Sequence, residues 1–299
     1  MKTNLSSQIK LDRIPKRYYR PENAIERTAL TRFEKAETEI YESMEEGSRQ
    51  IALEVAGLIE KSRKQNRPFV MAIGASYGSL IICKEMVRLH REKKLSFSNV
   101  VVFNISEFYP LDVNSAGTTG MLNENFFSQI DIPSGNVFNP RYSTEIDGVL
   151  EFCSNYEQLI VNAGGLDLAL VEIGQQGNLG FNEPGSQTNS RTRLMLLGNE
   201  SRHIAAKMFS FIESVPATAI TMGISTLLSA KKMILMAWGE NRALVAKGAV
   251  EGSISDTLPA SYLQLHKDAK VVLDLAASES LTRINTPWLV TSCEWTDKL

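Results

Sequence analysis

The class of fold follows from one segment, Phe69-Val-Met-Ala-Ile-Gly-Ala-Ser-Tyr-Gly-Ser-Leu80. Its first five residues are all apolar, which is typical of a strand whose two faces are both covered. The small residues from Gly74 to Ser79 predict a tight turn, and the apolar spacing from Leu80 to Arg91 predicts a helix. A buried strand that turns directly into a helix is the repeating unit of parallel sheets.

The same alternation of strand and helix continues along the chain. Further apolar runs predict strands at Val100–Asn104, Leu166–Ile173, Ala217–Met222, Met233–Trp238 and Lys270–Leu275. Helical periodicity predicts helices at Glu145–Ala163, Ser225–Ala230 and Arg242–Val250, and over Ala24–Lys61 with a break near Gly47. We therefore predict an α/β fold with a doubly wound, mostly parallel, Rossmann-like sheet, in a single domain spanning residues 24–285.

Composition narrows the classes of partner and site. Of the 299 residues, 43% are hydrophobic, and Lys plus Arg (32) nearly balance Asp plus Glu (34). Because there is no basic excess, we expect neither a nucleic-acid partner nor binding to a membrane surface. Cys83, Cys153 and Cys293 lie far apart and form no Cys/His cluster. The sequence therefore predicts no metal site and no disulfide framework, and it favours a reducing cytoplasm.

The two ends of the chain differ from the middle. Residues 1–23 are polar and predict an extended arm. Residues 286–299 contain the apolar segment Pro287-Trp-Leu-Val-Thr-Ser-Cys-Glu-Trp295, whereas chain ends are usually polar and frayed. We therefore expect a further domain beyond residue 299, with a terminal segment docked on the core as the alternative. The sequence has no apolar run near the roughly 20 residues that span a bilayer.

The turn after the first predicted strand is a candidate anion site. In doubly wound sheets, ligands bind beyond the carboxyl ends of the strands. The backbone at Gly74 and Gly78, the hydroxyls of Ser76 and Ser79, and the amino end of the following helix could together bind a phosphate. The turn has neither the Lys-Ser/Thr ending of a Walker loop nor the GxGxxG pattern. From these residues alone, phosphate binding and simple chain reversal both remain open.

Further motifs identify a family. They are Phe103-Asn-Ile-Ser-Glu-Phe108, Gly174-Gln-Gln-Gly-Asn-Leu-Gly-Phe-Asn-Glu-Pro184, Ser190-Arg-Thr-Arg193, Thr221-Met-Gly-Ile-Ser-Thr-Leu-Leu228, Ala249-Val-Glu-Gly252 and Tyr262-Leu-Gln-Leu-His266. In their order and spacing, from about Phe33 to Leu275, the chain resembles the glucosamine-6-phosphate deaminase family, which is related to 6-phosphogluconolactonases. Phe-Asn-Glu-Pro followed by Ser-Arg-Thr-Arg is too long a match for coincidence.

The resemblance implies a homo-oligomer of Rossmann-like domains that binds a small-molecule sugar phosphate, with no metal and no organic cofactor. In that family the sugar ring opens, a proton moves between C2 and C1, and ammonia leaves to give fructose 6-phosphate. The matching positions place the phosphate on Gly74, Ser76, Gly78 and Ser79, with Lys207 and Arg242 as cationic partners. Relative to the family, arginine and lysine are exchanged at both cationic positions, which keeps the charge and changes the geometry.

The positions that transfer protons in the family differ in this chain. Ser106 stands where the family has the aspartate that removes the C2 proton, and a serine hydroxyl is not ionised at neutral pH without a paired base. Gln176 replaces an aspartate and Asn178 replaces the ring-opening histidine, and neither amide titrates. Glu183 is the member of this group that remains. Glu107 is a candidate replacement base, with a structural role as the stronger interpretation, because successive strand residues face opposite sides.

Two functions therefore remain open. The first is a hexosamine-phosphate isomerase/deaminase with altered catalytic residues, in which Glu107 or Glu172 has become the base. The second is a catalytically weak or inactive sugar-phosphate-binding domain that senses its ligand or presents it to a partner. Each lost proton-transfer group costs on the order of 100- to 10,000-fold in rate, which disfavours efficient deamination. Lactone hydrolysis, a third alternative, is disfavoured because it needs an acid/base pair near Gly177.

Overall fold

The computed structural model describes residues 14–111, 117–141, 146–209 and 211–290. Its strands are β1 (Glu37–Tyr41), β2 (Phe69–Ile73), β3 (Val100–Asn104), β4 (Ser106–Tyr109), β5 (Val137–Phe138), β6 (Leu168–Glu172), β7 (Arg193–Leu196), β8 (Thr218–Thr221), β9 (Lys232–Ala237) and β10 (Ala269–Asp274). Its α-helices are α1 (Lys16–Tyr19), α2 (Ala24–Leu30), α3 (Met44–Lys64), α4 (Tyr77–Arg91), α5 (Gly117–Asn125), α6 (Val149–Asn162), α7 (Asn199–Phe209), α8 (Ile224–Leu228), α9 (Ala243–Glu251), α10 (Leu275–Ser278) and α11 (Thr282–Asn285).

The main sheet is parallel, with strand order β1-β10-β9-β6-β2-β3-β5 among the described residues. From β2 the chain first adds β3 and β5 on one side, and then returns to add β6, β9 and β10 on the other. The direction of winding therefore reverses between β2 and β6. A crevice at the carboxyl ends of two such strands is where doubly wound sheets bind ligands. The predicted doubly wound α/β fold is confirmed.

Side chains on both faces of the sheet are buried, as the continuous apolar strands predicted. In β6, Leu168 and Leu170 pack into the cluster that holds α3 and α4 against one face. The alternate residues Ala169 and Val171 pack into the cluster that includes Tyr156 of α6 on the other face. Burying each large apolar side chain contributes roughly 1.5–3 kcal/mol, so the two helical layers fix the sheet and its carboxyl edge.

The prediction of a helix over Ala24–Lys61 is wrong for the middle of this segment, which contains a strand. The segment folds as α2, then the edge strand β1, then α3. In β1 the side chains alternate between buried and exposed, with Ile40 inside. Ser43 then caps α3, because its side chain accepts a hydrogen bond of 3.2 Å from the Glu46 amide. Gly47 lies inside α3 and does not break it.

The strand expected at Ala217–Met222 exists as β8, but it does not belong to the main sheet. It pairs antiparallel with β4 and β7, so that Ser106 and Arg193 both lie opposite Thr221. A short apolar run does not distinguish a central parallel strand from the middle of a small antiparallel sheet. The helices α5 and α7 beside this small sheet were also not predicted. The antiparallel sheet forms the second wall of the crevice, since β4 follows β3 directly.

The two ends of the chain are described in part. In the predicted arm, residues 1–13 lie outside the described part, whereas Tyr18 and Tyr19 are buried on α1, so this portion packs on the domain. In the predicted C-terminal segment, Pro287–Leu289 forms a 3-10 helix and residues 291–299 lie outside the described part. Among the described helices, none is both long enough and apolar enough to cross a membrane.

Candidate functional site

The turn between β2 and α4 is held by its own serines. The Ser76 side chain caps α4 by accepting a hydrogen bond of 3.2 Å from the Ser79 amide. The two hydroxyl oxygens, Ser76 Oγ and Ser79 Oγ, lie 2.6 Å apart. Gly74 begins the turn and lies against Ile105, which links β3 to β4. The structure thus brings the four predicted turn residues together at the crevice, with both hydroxyls already hydrogen-bonded to neighbours.

A carboxylate of the protein itself faces this turn. The Gly78 amide, which was predicted to face a phosphate, donates a hydrogen bond of 2.9 Å to Glu172 Oε2. Glu172 is the last residue of β6, the strand next to β2 at the winding reversal, and its side chain is 10% exposed. An amide at a helix amino terminus favours a negative partner. In this structure that partner is Glu172.

Arg242 lies on the far side of the same carboxylate. Its Nη2 is 3.7 Å from Glu172 Oε1, and its Nε donates a hydrogen bond of 3.1 Å to the Ile173 carbonyl. Burial lowers the pKa of Arg242, and the nearby Glu172 charge opposes that shift. The arginine still carries its charge at neutral pH. Arg242 therefore balances Glu172 across the crevice.

Trp238 fills the space above the turn. It follows β9 and is 7% exposed. A Cβ added at Gly78 would overlap the Trp238 indole, and one added at Gly47 would lie 2.7–2.8 Å from its six-membered ring. The two glycines therefore leave room for a ring that spans the first turns of α3 and α4. The indole Nε1 is buried without a hydrogen-bond partner among the described residues.

Lys207, the other predicted cation, is placed differently. It lies exposed on α7, beside the small antiparallel sheet. With the residues that the structure describes, Lys207 forms no ion pair and no hydrogen bond to the β2–α4 turn. Of the six residues predicted to bind phosphate, Gly78 and Arg242 contact Glu172 and the other turn residues lie beside Gly78, whereas Lys207 makes no described contact with this group.

The substituted proton-transfer positions lie around β4 and the loop after β6. Ser106 begins β4 opposite Thr221, and Gly180 of the loop lies against the same Thr221 side chain. Asn178 Nδ2 donates a hydrogen bond of 2.7 Å to the Gly180 carbonyl, so this amide holds the loop in shape. Gln176 is exposed at the tip of the loop. Ser106 and Asn178 therefore share one region of the crevice wall, and Gln176 lies at the exposed tip of the loop that carries Asn178.

Glu183 stabilises the start of α7. Its two carboxylate oxygens accept hydrogen bonds of 3.1 and 3.0 Å from the Gly198 amide, just before the helix begins. A Cβ at Gly198 would lie 2.9 Å from Glu183 Oε2, so the glycine permits this approach. The contact orders the connection between β7 and α7.

Glu107 makes contacts of the same kind and is fully buried. Its Oε1 accepts hydrogen bonds of 2.9 Å from the Phe108 and Thr118 amides, and its Oε2 accepts one of 2.8 Å from the Thr119 amide. Gly117 is in the left-handed region with φ +52°, and a Cβ there would overlap the Glu107 carboxylate. Glu107 therefore caps the amino end of α5.

The Ser190–Arg193 motif is also engaged in internal contacts. Arg191 Nη2 lies 2.8 Å from Glu157 Oε2, and the Thr192 amide donates a hydrogen bond of 2.7 Å to Glu157 Oε1. Arg193 donates a hydrogen bond of 2.8 Å to Asn182 Oδ1. These arginines join the loop after β6 to α6 and β7. The mostly buried Glu157 was not singled out from the sequence, because nothing local marks its partners.

A cavity of about 760 Å³ lies away from the crevice, along the edge strand β1. Its charged lining residues are largely paired with one another. Arg283 Nε lies 2.8 Å from Glu34 Oε1 with both side chains buried, and Arg20 contacts Glu46. Because these charges are already neutralised, the cavity offers no convergent set of groups for a charged ligand. Among the described residues, no group of three or more His, Cys, Asp and Glu side chains is arranged to hold a metal ion.

Comparisons with known proteins agree with this fold. Residues 42–273 match the family model for glucosamine-6-phosphate isomerases/6-phosphogluconolactonase. A glucosamine-6-phosphate deaminase-like protein of Bacteroides thetaiotaomicron is 52% identical over 300 residues, covering 100% of this chain and 45% of that protein. The chain thus spans a little under half of this relative. A glucosamine-6-phosphate deaminase of Bacillus velezensis is 36% identical over 232 residues, covering 77% of this chain and 95% of that protein.

A solved structure gives the same result. A monomeric glucosamine-6-phosphate deaminase superposes with a TM-score of 0.77 at 32% identity, covering 82% of this chain and 99% of its own. That relative is a monomer. For this chain, the homo-oligomer expected from the sequence stays a prediction. Residues 42–273 contain the parallel sheet from β2 to β9, most of β10, and the crevice residues described above. The chain belongs to the glucosamine-6-phosphate isomerase/6-phosphogluconolactonase family.

Proposed function

We propose that this chain is a deaminase-like domain that binds a hexosamine ligand in the crevice between β2 and β6 and does not catalyse deamination efficiently. It acts as a binding domain, which senses a sugar or presents it to a partner. The proposal rests on one observation: Ser106 and Asn178 lie near one another through Thr221 and Gly180, Gln176 lies at the exposed tip of the same loop as Asn178, and none of the three side chains titrates near neutral pH. Hydroxyl and amide groups suit sugar hydroxyls, and at these three positions they supply no general base or acid.

The neighbouring carboxylates support a binding role over a relocated active site. A general base must reach the proton that it abstracts with a free oxygen lone pair. Both oxygens of Glu107 are engaged by three backbone amides, and both oxygens of Glu183 face the Gly198 amide. Glu172 faces Gly78 and Arg242. In each case the carboxylate has a structural partner.

Ammonia release from glucosamine 6-phosphate is the direct test of the catalytic half of the proposal. Typical enzymes turn over at about 10 s⁻¹. Losing three proton-transfer groups, each worth on the order of 100-fold or more, places the expected rate below about 10⁻⁵ s⁻¹. Turnover within about 100-fold of a typical enzyme would contradict the proposal. Calorimetry and melting-temperature shifts with glucosamine and glucosamine 6-phosphate test the binding half, and the absence of any effect with either would contradict it.

Restoring the proton carriers tests whether they are what the site lacks. We expect the triple variant Ser106→Asp/Gln176→Asp/Asn178→His to release ammonia measurably faster than the native chain. The single variant Gln176→Asp is the matched control, because it adds one carboxylate at the exposed loop tip without restoring the pair on the wall. Equal rates for the native chain and a folded triple variant that binds sugar would show that the defect lies elsewhere in the crevice.

A further inference from the structure

The β2–α4 turn already holds an anion that belongs to the chain. We propose that Glu172 and Trp238 exclude a phosphate from this turn, so that the crevice selects an unphosphorylated hexosamine. The inference rests on the proposed function, because it names the class of hexosamine that the domain binds. It makes Glu172 a specificity-determining residue.

Glu172 occupies the electrostatic position of a ligand phosphate. Its Oε2 accepts the Gly78 amide hydrogen bond at 2.9 Å, and its Oε1 lies 3.7 Å from Arg242 Nη2. The amide at the helix start and the guanidinium are the two kinds of group that bind phosphate oxygens. The amide is hydrogen-bonded to Glu172, and the charge of the guanidinium is paired with the same carboxylate. An entering phosphate ester, which carries between one and two negative charges, would meet a carboxylate in a partly buried site, where like charges repel strongly.

Trp238 covers one side of the Gly78 backbone, while Glu172 covers its amide. Its indole lies where a Cβ at Gly78 would lie, so no ligand atom can approach the Gly78 backbone on that side while the ring is in place. The ring is 7% exposed and its Nε1 has no hydrogen-bond partner among the described residues. A Cβ at Gly78 would overlap Trp238 Nε1 and would lie 2.9 Å from Glu172 Oε2. Charge and shape therefore act at one position.

The rest of the crevice wall is neutral. Ser106, Gln176 and Asn178 offer hydroxyl and amide groups, which hydrogen-bond to sugar hydroxyls without a preference for charge. Lys207, which would have added a second cation, lies exposed on α7 and forms no described contact with the turn. The uncharged groups at these positions thus fit a neutral or amino-bearing sugar better than a phosphate ester.

The test compares three probes on four proteins by isothermal titration calorimetry. The probes are glucosamine, glucosamine 6-phosphate and inorganic phosphate. The proteins are the native chain, Glu172→Ala, Glu172→Gln and Glu151→Ala. Glu172→Ala frees the Gly78 amide and Arg242, whereas Glu172→Gln removes the charge and keeps an oxygen that can accept the same hydrogen bond. Glu151→Ala removes an exposed glutamate of α6 and controls for net charge.

We expect the native chain and Glu151→Ala to bind glucosamine at least as tightly as glucosamine 6-phosphate and to give no heat with inorganic phosphate. Glu172→Ala should bind glucosamine 6-phosphate roughly 30-fold or more tighter than the native chain, with its affinity for glucosamine changed by less than about 3-fold. Glu172→Gln should show a smaller gain and serves as the test if the alanine variant does not fold.

Other outcomes separate this inference from the proposed function. If the native chain prefers glucosamine 6-phosphate by about 10-fold, or if neither Glu172 variant gains affinity for either phosphate probe, the inference is overturned while hexosamine binding stands. If no protein binds glucosamine or glucosamine 6-phosphate, the proposed function and the inference fall together.

Discussion

The Glu107 carboxylate offers a quantitative test of its structural role. Glu107→Ala leaves the Phe108, Thr118 and Thr119 amides without their acceptor, at a site where the carboxylate is fully buried. A buried amide that loses its partner costs about 1–3 kcal/mol. Because the Thr119 contact is only partly buried, water can replace it in part, and we expect a total loss of about 3–6 kcal/mol in the free energy of unfolding.

Glu107→Gln is the matched control for this loss. The glutamine keeps one oxygen, which can serve the Phe108 and Thr118 amides, but its NH₂ group faces the Thr119 amide as a second donor. We therefore expect Glu107→Gln to lose about 1–3 kcal/mol, less than Glu107→Ala.

Urea unfolding followed by circular dichroism gives the free energies, and hydrogen exchange at the Thr118 and Thr119 amides locates the effect at the start of α5. A loss below 1 kcal/mol for Glu107→Ala would refute the capping role. So would an unchanged stability of Glu107→Gln, because the glutamine keeps the volume of the side chain and the loss in Glu107→Ala would then trace to packing. If Glu107→Gln instead abolished a measurable ammonia release without changing stability, Glu107 would be the relocated base.

Three further changes test other parts of the fold. Burial opposes ionisation of Asp167, but a hydrogen bond of 2.8 Å from Lys231 and further donors outweigh it and lower its pKa. The ionised Asp167 carboxylate therefore stabilises the fold at neutral pH, and this contribution is lost as the pH falls below 3.8, the ordinary pKa of aspartate. At neutral pH we expect Asp167→Asn to be about 1–2 kcal/mol less stable than the native chain in thermal melts, and below pH 3.8 we expect this difference to disappear. Gly57→Ala, at an exposed site in α3 with nothing within 4 Å of the new Cβ, should raise the free energy of unfolding by about 0.5–1 kcal/mol in urea titrations. Gly223→Ala should lower it by about 1–3 kcal/mol or more, because the new Cβ overlaps the Ser190 carbonyl, and an unchanged unfolding midpoint would contradict that close packing.

The strand–turn–helix unit at residues 69–91 could be predicted because its signals are local. Five buried apolar residues give β2 with the predicted bounds, and Ser76 caps the helix that follows. The edge strand β1 was missed because it has five residues and lies between two helices. A period-two alternation over so few residues is too short to stand out from the helical periodicity on either side. The antiparallel pairing of β8 was missed because partner choice is set by the chain path between elements and not by the strand itself.

The turn residues of the candidate site could be located from the sequence, but their partners could not. Gly78 signals close approach of some group to the backbone, and the sequence does not say which. The group is Trp238, which follows β9, with Glu172 at the end of β6 beside it, and both lie more than 90 positions away along the chain. A clue was present in β6, where a single carboxylate ends an otherwise apolar strand. It became interpretable once the strand order placed Glu172 next to the turn.

The buried indole of Trp238 also gives the crevice an intrinsic optical label. The chain has three tryptophans, of which Trp288 is 53% exposed and Trp295 lies outside the described residues. The emission of a shielded ring lies to the blue of that of a hydrated one. A molecule that enters beside Gly78 must push this ring out from between α3 and α4, whereas one that binds along β1 has no need to. A red shift of the fluorescence on titration would therefore distinguish the two locations without any added probe.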